Sequence, residues 1–522
     1  MKTVSCLLLL AVCVSLAEGQ DLTRDQWLED LDVALRAIRE THPNPYFRIP
    51  EDRFQEVVQA ARERILRSRS YEESAVAIRR VVGSLEDAHT FVLSDREHRF
   101  NLWFPVRLYK FSDGVFITSI EARDSLLIGA EVLRLGQTPA QAALDSMLTL
   151  ASGDNLYRRL WFASRYLSNA RMLYGLGIIA TPNEMPLHLR MPDGELRSVT
   201  LTSTPLPSWA GIYRVPVMDA GDVYAFGVEG DALPVHLRHL NADHRDYWFT
   251  HLKGDSALYM QWNTIIDQED EDFSAFRKRL WRYVDAHQAS IRRFVLDIRY
   301  NSGGNGILIL PFLHEIIKRD AINRRGHLYA LIGRTTNSAA LILMAQLHMH
   351  TETVFVGEPA GGAVRLFSDA RQRGPLPNSG FDRFVATETF DLGWPSNEDY
   401  TFPPHCPAEF ASSDFFGGRD PALEAALSGK ARALETIVFD EGPAAALSYY
   451  ETNKRTWDFY PNEWCMNLLA SADNPKYKEG AITSLGNQLL RGGDLDDAIA
   501  AFEINVRFFS RSGDAWQSLG EG

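Results

Sequence analysis

Between residues 294 and 363 apolar runs alternate with glycine loops in an order that few folds accommodate. FVLDIRYNSGGNG (294–306) is followed by LYALIGRTTNSAALILMAQL (328–347) and then by VFVGEPAGGA (354–363). Short apolar runs that end in glycine-rich turns read as buried strands, and the intervening stretches have helical length, so the segment predicts strands of a largely parallel sheet. Functional groups of such sheets collect at the carboxyl ends of strands. Both the paired glycines Gly303-Gly304 and Ser338 fall at such ends. Ser338 also opens a helix, where free N–H groups and the positive end of the dipole favour an anion forming nearby. A serine there by itself is most simply a helix cap. Arriving with a separately encoded glycine loop, it reads as a nucleophile for acyl transfer, with the N–H groups of Gly303 and Ala339 as an oxyanion cradle and Gly304, Asn337 and Gly361 as substrate contacts.

The 522 residues suffice for roughly three to four domains of ordinary size. The first 19 residues have Lys2, an apolar stretch from about Val4 to Leu16, and small residues Ala17 and Gly19 before Gln20, the pattern of a secretory signal. That run is shorter than the roughly 20 residues a spanning helix needs, so an exported protein without a transmembrane anchor is expected. The formal charge of −14, with scattered arginines, gives no electrostatic footprint for nucleic acid. After removal of Cys6 and Cys13 with the signal, Cys406 and Cys465 remain; an exported chain could pair them or keep two free thiols. There is no C-x-x-C and no H-E-x-x-H, so no metal or cofactor is expected.

Residues 20–100 read as a helical domain: WLEDLDVALRAIRETH, DRFQEVVQAARERIL and YEESAVAIRRVVGSL carry apolar positions three or four apart. Residues 101–205 read as a β-rich module with linker helices, its strands FPVRLYKF, GVFITSI and AEVLRLG followed by a helix from about Pro139 to Leu150. That order resembles a reduced PDZ-like module, which binds extended peptide along a sheet edge; a connector without binding is the alternative. Leu156 to Leu176 reads as a helical stretch and HLRMPDGELRSVTLT as a hairpin. Residues 206–430 read as the α/β core, after a loop-rich zone near 208–246. In the tail, 431–522, Leu485-Gly486 and Leu519-Gly520 stand 34 residues apart and Ala498-x-x-x-Phe502 fits a second helix. This is one complete and one partial tetratricopeptide-like repeat, and such repeats need neighbours, which predicts a protein partner for the tail.

The segments DIRYNSGG, TTNSAAL and VGEPAGG, with Asp87-Ala88-His89-Thr90 far upstream and GRDPALEAAL at 418–427, resemble the tricorn-core and C-terminal-processing serine peptidases. The resemblance spans nearly the whole chain after the signal and implies a ClpP/crotonase-like core. One branch of that family places a base lysine 25 residues after the serine; here that position is Ala363, and no lysine lies between Lys318 and Lys430. The tricorn-like branch takes its base from the D-x-H-T element, which is His89 here. An imidazole near its ordinary pKa can accept the serine proton and return it to a leaving amine. The resemblance implies an orienting acid in Ser396-Asn397-Glu398-Asp399, with Glu398 the choice and Asp399 the second. His42 and Arg365 are lesser candidates for substrate contact. The expectation is a secreted or periplasmic serine endopeptidase acting on polypeptides. The alternative is an inactive peptide-binding scaffold of the same fold, suggested by Ala363 and by Ala360, where relatives often have threonine. An esterase is disfavoured, since neither G-x-S-x-G around Ser338 nor any S-x-x-K occurs.

Overall fold

The computed structural model describes residues 22–93, 100–205, 223–224, 235, 246–363, 365–370, 372–392, 404–429 and 431–432, with isolated positions from 445 to 491 and the helices 495–508 and 513–521. Three helices open it: α1 (Arg24–Thr41), α2 (Glu51–Arg67) and α3 (Tyr71–Gly83). Thr23 and Gln26 form a capping box at the start of α1, and Ser70 caps α3. The buried residues of α1, Trp27, Leu31, Ala34, Leu35 and Ile38, recur at helical spacing and so form one stripe. A short strand β1 (Phe91–Leu93) follows.

An antiparallel sheet comes next, built on the hairpin β2 (Val106–Phe111) and β3 (Gly114–Ile120), then β4 (Glu131–Leu135), and closed by the hairpin β5 (Glu184–Arg190) and β6 (Leu196–Thr202). Between β4 and β5 run α4 (Ala140–Leu148), α5 (Leu156–Tyr166) and α6 (Ala170–Gly175). The helical stretch from Leu156 to Leu176 is divided in two, because Asn169 caps a new helix by accepting from the Met172 N–H. The opening helices and this sheet share one hydrophobic core, in which Trp27, Ile78, Ile117, Leu144 and Leu187 are all buried.

The second sheet runs β7 (Tyr247–Leu252), β8 (Ala257–Trp262), β9 (Arg293–Asp297), β10 (Leu328–Ile332), β11 (Val354–Gly357), and a last strand at Cys406–Pro407. From β8 onward every pairing is parallel, while β7 joins β8 as an antiparallel hairpin. β7, in YWFTHL, carries no period-two alternation that would announce it as a strand. Side chains alternate across the sheet. Phe294 and Leu296 of β9, with Leu328, Ala330 and Ile332 of β10, pack under α7 (Phe273–Ala286), α8 (Ile309–Ile317) and α9 (Ala339–His350). Val295, Tyr329 and Leu331 pack on the other face against α10 (Pro421–Ser428), through Ala422, Leu423 and Ala426. Burial on both faces explains why these strands are apolar throughout.

Residues 365–391, for which the sequence suggested no elements, form two hairpins. β12 (Arg365–Ser368) pairs β15 (Glu388–Asp391), and β13 (Gln372–Pro375) pairs β14 (Asp382–Val385), which in turn pairs β1. This excursion reaches back to α1: the N–H groups of Asn378 and Ser379 donate to Asp30 at 2.9 and 2.8 Å. In the tail, α11 (Leu495–Phe508) buries Ala498, Phe502 and Val506, and Asn505 donates to Thr483 at 2.8 Å. No helix among the described residues is long and apolar enough to cross a membrane.

Candidate active site

The carboxyl ends of β9 and β10 are laced together. Beyond β10, Thr336 donates its hydroxyl to the Ile298 carbonyl at 2.8 Å and accepts from the Gly333 N–H, and Asn337 N–H donates to the Asn301 carbonyl at 3.0 Å. This loop delivers Ser338 to the start of α9 with φ 56° and ψ −125°, a backbone region that side chains other than glycine rarely adopt. Such strain clusters at functional positions. The Ser338 side chain makes no capping hydrogen bond, so the simplest structural role for a serine here is not the one it plays.

The glycine loop faces it. Asn301 donates to the Trp262 carbonyl at 2.9 Å and accepts the Gly303 N–H at 2.9 Å. The Ile265 N–H donates to the Gly303 carbonyl, and the Asn305 N–H to the Ile265 carbonyl. Gly303 has φ 102°, and a Cβ there would lie 2.5 Å from the Ser338 Cβ and 2.9 Å from the Ala339 nitrogen, so only glycine allows this approach. The expected donor role of Gly303 needs correction, since its N–H is committed to Asn301. Gly304 is next in line: its bridge to Ile265 uses the flanking Gly303 carbonyl and Asn305 N–H, leaving its own N–H on the opposite side. Ala339 is the first residue of α9. The Gly361 N–H donates to the Thr336 carbonyl at 2.8 Å, and a Cβ at Gly361 would meet the Arg334 carbonyl. Asn337 is buried, with its side-chain oxygen lacking a partner.

The D-x-H-T element is held from several directions. Asp87 accepts the His89 N–H at 2.9 Å through one carboxylate oxygen, and the other lies 3.1 Å from His42 Nε2. Because His42 Nδ1 accepts the Asn44 N–H, Nε2 carries the proton and donates to Asp87. Asp154 accepts the Ala88 N–H at 3.0 Å. Arg48 donates to the Glu86 carbonyl at 3.2 Å and the Arg365 carbonyl at 2.9 Å, and stands 3.5 Å from Asp154. Thr90 accepts the Ala386 N–H at 3.1 Å. The two buried acids shift oppositely. Burial opposes ionisation of Asp87, yet the His42 hydrogen bond and the two histidines hold its carboxyl below the usual range. Burial raises Asp154, against the pull of Arg48 and with a push from Asp87.

Asn155 joins this element to the serine side, donating to the carbonyls of Ala360 and Gly362 at 2.9 and 3.1 Å. Arg48 makes the same junction through Arg365, whose backbone rather than side chain is used. The His89 ring itself makes no hydrogen bond among the described residues, to Ser338 or to an acid, and its Nδ1 is buried without a partner. His42 is an internal support, buried against Phe367, and not a surface contact. Ala360 and Ala363 are buried. Glu398, Asp399 and Cys465 lie outside the described residues. Arg48, Asp154 and Asn155 escaped the sequence reading. Asn155 had a visible signal, the cap position before Leu156 in SGDNLYRRL, but nothing local announces a contact 205 residues away.

The described architecture shares its fold with mature CPAF. The structure of mature CPAF complexed with lactacystin superposes with a TM-score of 0.54 at 13% identity, covering 80% of this chain and 99% of that one. Weaker likenesses are to the photosystem II D1 C-terminal processing protease, with a TM-score of 0.34 at 13% identity over 77% of this chain and 96% of that one, and to the tricorn protease, at 0.36 and 13% over 78% and 36%. The fold assignment rests on CPAF. No protein-family profile and no curated protein matches the sequence.

Proposed function

We propose that this chain is an exported serine peptidase that cleaves polypeptides through an acyl-enzyme on Ser338. The observation that carries the reading is the strained, uncapped Ser338 pressed against a glycine that no other residue could replace. The Ser338 hydroxyl attacks the scissile carbonyl while His89 takes its proton. The N–H groups of Ala339 and Gly304 hold the oxyanion, and His89 returns the proton to the leaving amine. Water, deprotonated by the same imidazole, then cleaves the ester and regenerates the hydroxyl. His89 must turn onto Ser338 as substrate binds, since catalytic hydrogen bonds often tighten only in the complex. Glu398 is the acid that orients it. The β2–β6 sheet acts as a PDZ-like holder of extended substrate, and the tail as a tetratricopeptide-like docking element.

The test is labelling of the purified protein with a fluorophosphonate, alongside turnover of unfolded casein and a short-chain ester. Wild type labels and degrades casein, whereas Ser338→Ala and His89→Ala lose both by orders of magnitude. No labelling of folded wild type returns the chain to a peptide-binding scaffold. Ester turnover without casein cleavage removes proteolysis.

A further inference from the structure

The amino ends of β9 and β10 carry a feature unrelated to the serine site. Two Arg-Arg pairs, Arg292-Arg293 and Arg324-Arg325, lead into neighbouring parallel strands. The register sets Phe294 beside Leu328, so the residues just before them, Arg293 and His327, are neighbours too. Backbone bonds lock the arrangement: Arg292 and Arg293 N–H groups donate to the Ser256 carbonyl, and Phe294 N–H to the His327 carbonyl at 2.7 Å. The result is a pocket of about 360 Å³ lined by Arg292, Arg293, Arg324, Gly326 and His327.

Among the described residues, no carboxylate lines it. Arg325 turns outward to Glu352, 3.4 Å away, and no ion pair engages Arg292, Arg293 or Arg324 among the described residues. Arg293 and Arg432 both lie close enough to the Tyr329 hydroxyl to add positive charge around it. The Arg293 Nε and the His327 Nδ1 are buried without partners. Arg292 and Arg324 are exposed. In a chain of net charge −14, three guanidinium groups and an imidazole gathered without an acid form a local positive well. His327 registers it: burial first, then Arg324 and Arg293, hold its imidazole below the ordinary range.

We propose that this pocket binds a phosphate-type oxyanion, as the free ion or as a phosphate monoester. Guanidinium forks match the tetrahedral oxygens of such a group with paired, charge-assisted hydrogen bonds. The pocket lies at the amino end of β10 and Ser338 beyond its carboxyl end, with the strand, about 16 Å long, between them, so occupant and peptide substrate do not compete.

The test is calorimetry with phosphorus NMR on the full chain, titrating inorganic phosphate and O-phosphoserine separately at constant ionic strength. Wild type binds at least one of them saturably, in the millimolar range or tighter. Arg292→Gln and Arg324→Gln, both at exposed positions, each weaken binding about tenfold or more, while Arg53→Gln on α2 leaves it unchanged. Binding of phosphate alone identifies the free ion; binding of both admits a monoester. Lack of saturation with either probe, or equal affinity in the two pocket variants and wild type, overturns the proposal. Fluorophosphonate labelling in the same samples reports separately on the serine site.

Discussion

Arg48→Met tests whether the junction between the D-x-H-T element and the serine loop depends on one cation. The Arg48 side chain is 5% exposed and Asp154 is fully buried, so solvent screens the pair little. At 3.5 Å and an effective dielectric of 20, their attraction is about 5 kcal/mol. Methionine fills a similar volume but abandons the carbonyls of Glu86 and Arg365 and leaves Asp154 without its cation. Removing one partner of a buried pair costs about 3–5 kcal/mol. The loss should depend on pH. The Asp154 carboxyl is already raised in the folded state, so its contribution is fully present below its unfolded pKa and is lost as pH rises through the folded value. Taking Arg48 away raises that value further, so Arg48→Met should be markedly less stable than wild type at pH 8 and closer to it at pH 5. Melting curves of wild type, Arg48→Met, Asp154→Asn and the double variant at both pH values give the answer, with fluorophosphonate labelling of each. Asp154→Asn should restore stability to Arg48→Met at pH 8, whereas labelling stays slow because Glu86 and Arg365 remain untied. Equal destabilisation at both pH values, or no relief from Asp154→Asn, refutes the electrostatic reasoning.

Gly303→Ala places a methyl 2.5 Å from the Ser338 Cβ on a backbone with φ 102°; displacing the nucleophile should slow labelling about 100-fold or more, measured on protein whose melting point is checked in parallel. Glu358→Gln removes the partner that Arg334 contacts at 2.7 Å, with both side chains at least nine-tenths buried; a stranded guanidinium should cost about 3–5 kcal/mol in denaturant unfolding, and Arg334→Met/Glu358→Gln together should cost less than either alone. Asp87 is held below its unfolded pKa, so its stabilisation is present above that pKa and lost as pH falls through the folded value; Asp87→Asn should flatten acid denaturation below about pH 4, as followed by circular dichroism.

Much of the local structure around Ser338 was legible in the sequence. Strand endings, paired glycines and a serine at a helix start are short-range signals, because turn geometry and strand burial depend on adjacent residues. The donor assignment was less secure, since Asn301 takes the Gly303 N–H by folding its side chain over two residues, a choice made by the bond to Trp262 behind it. The pairing of β14 with β1, nearly three hundred residues upstream, was hidden because no periodicity within RQRGPLPNSGFDRF encodes that neighbour.

The chain's own order of residues determined that a serine would stand at a strand's carboxyl end against a glycine loop, because those are matters of local backbone preference. Tertiary structure alone decided that Arg48, Asp154 and Asn155 would tie the D-x-H-T element to the backbone of Ala360, Gly362 and Arg365. Their contacts cross up to 317 residues, and only burial of two sheets and their helices brings such groups into range.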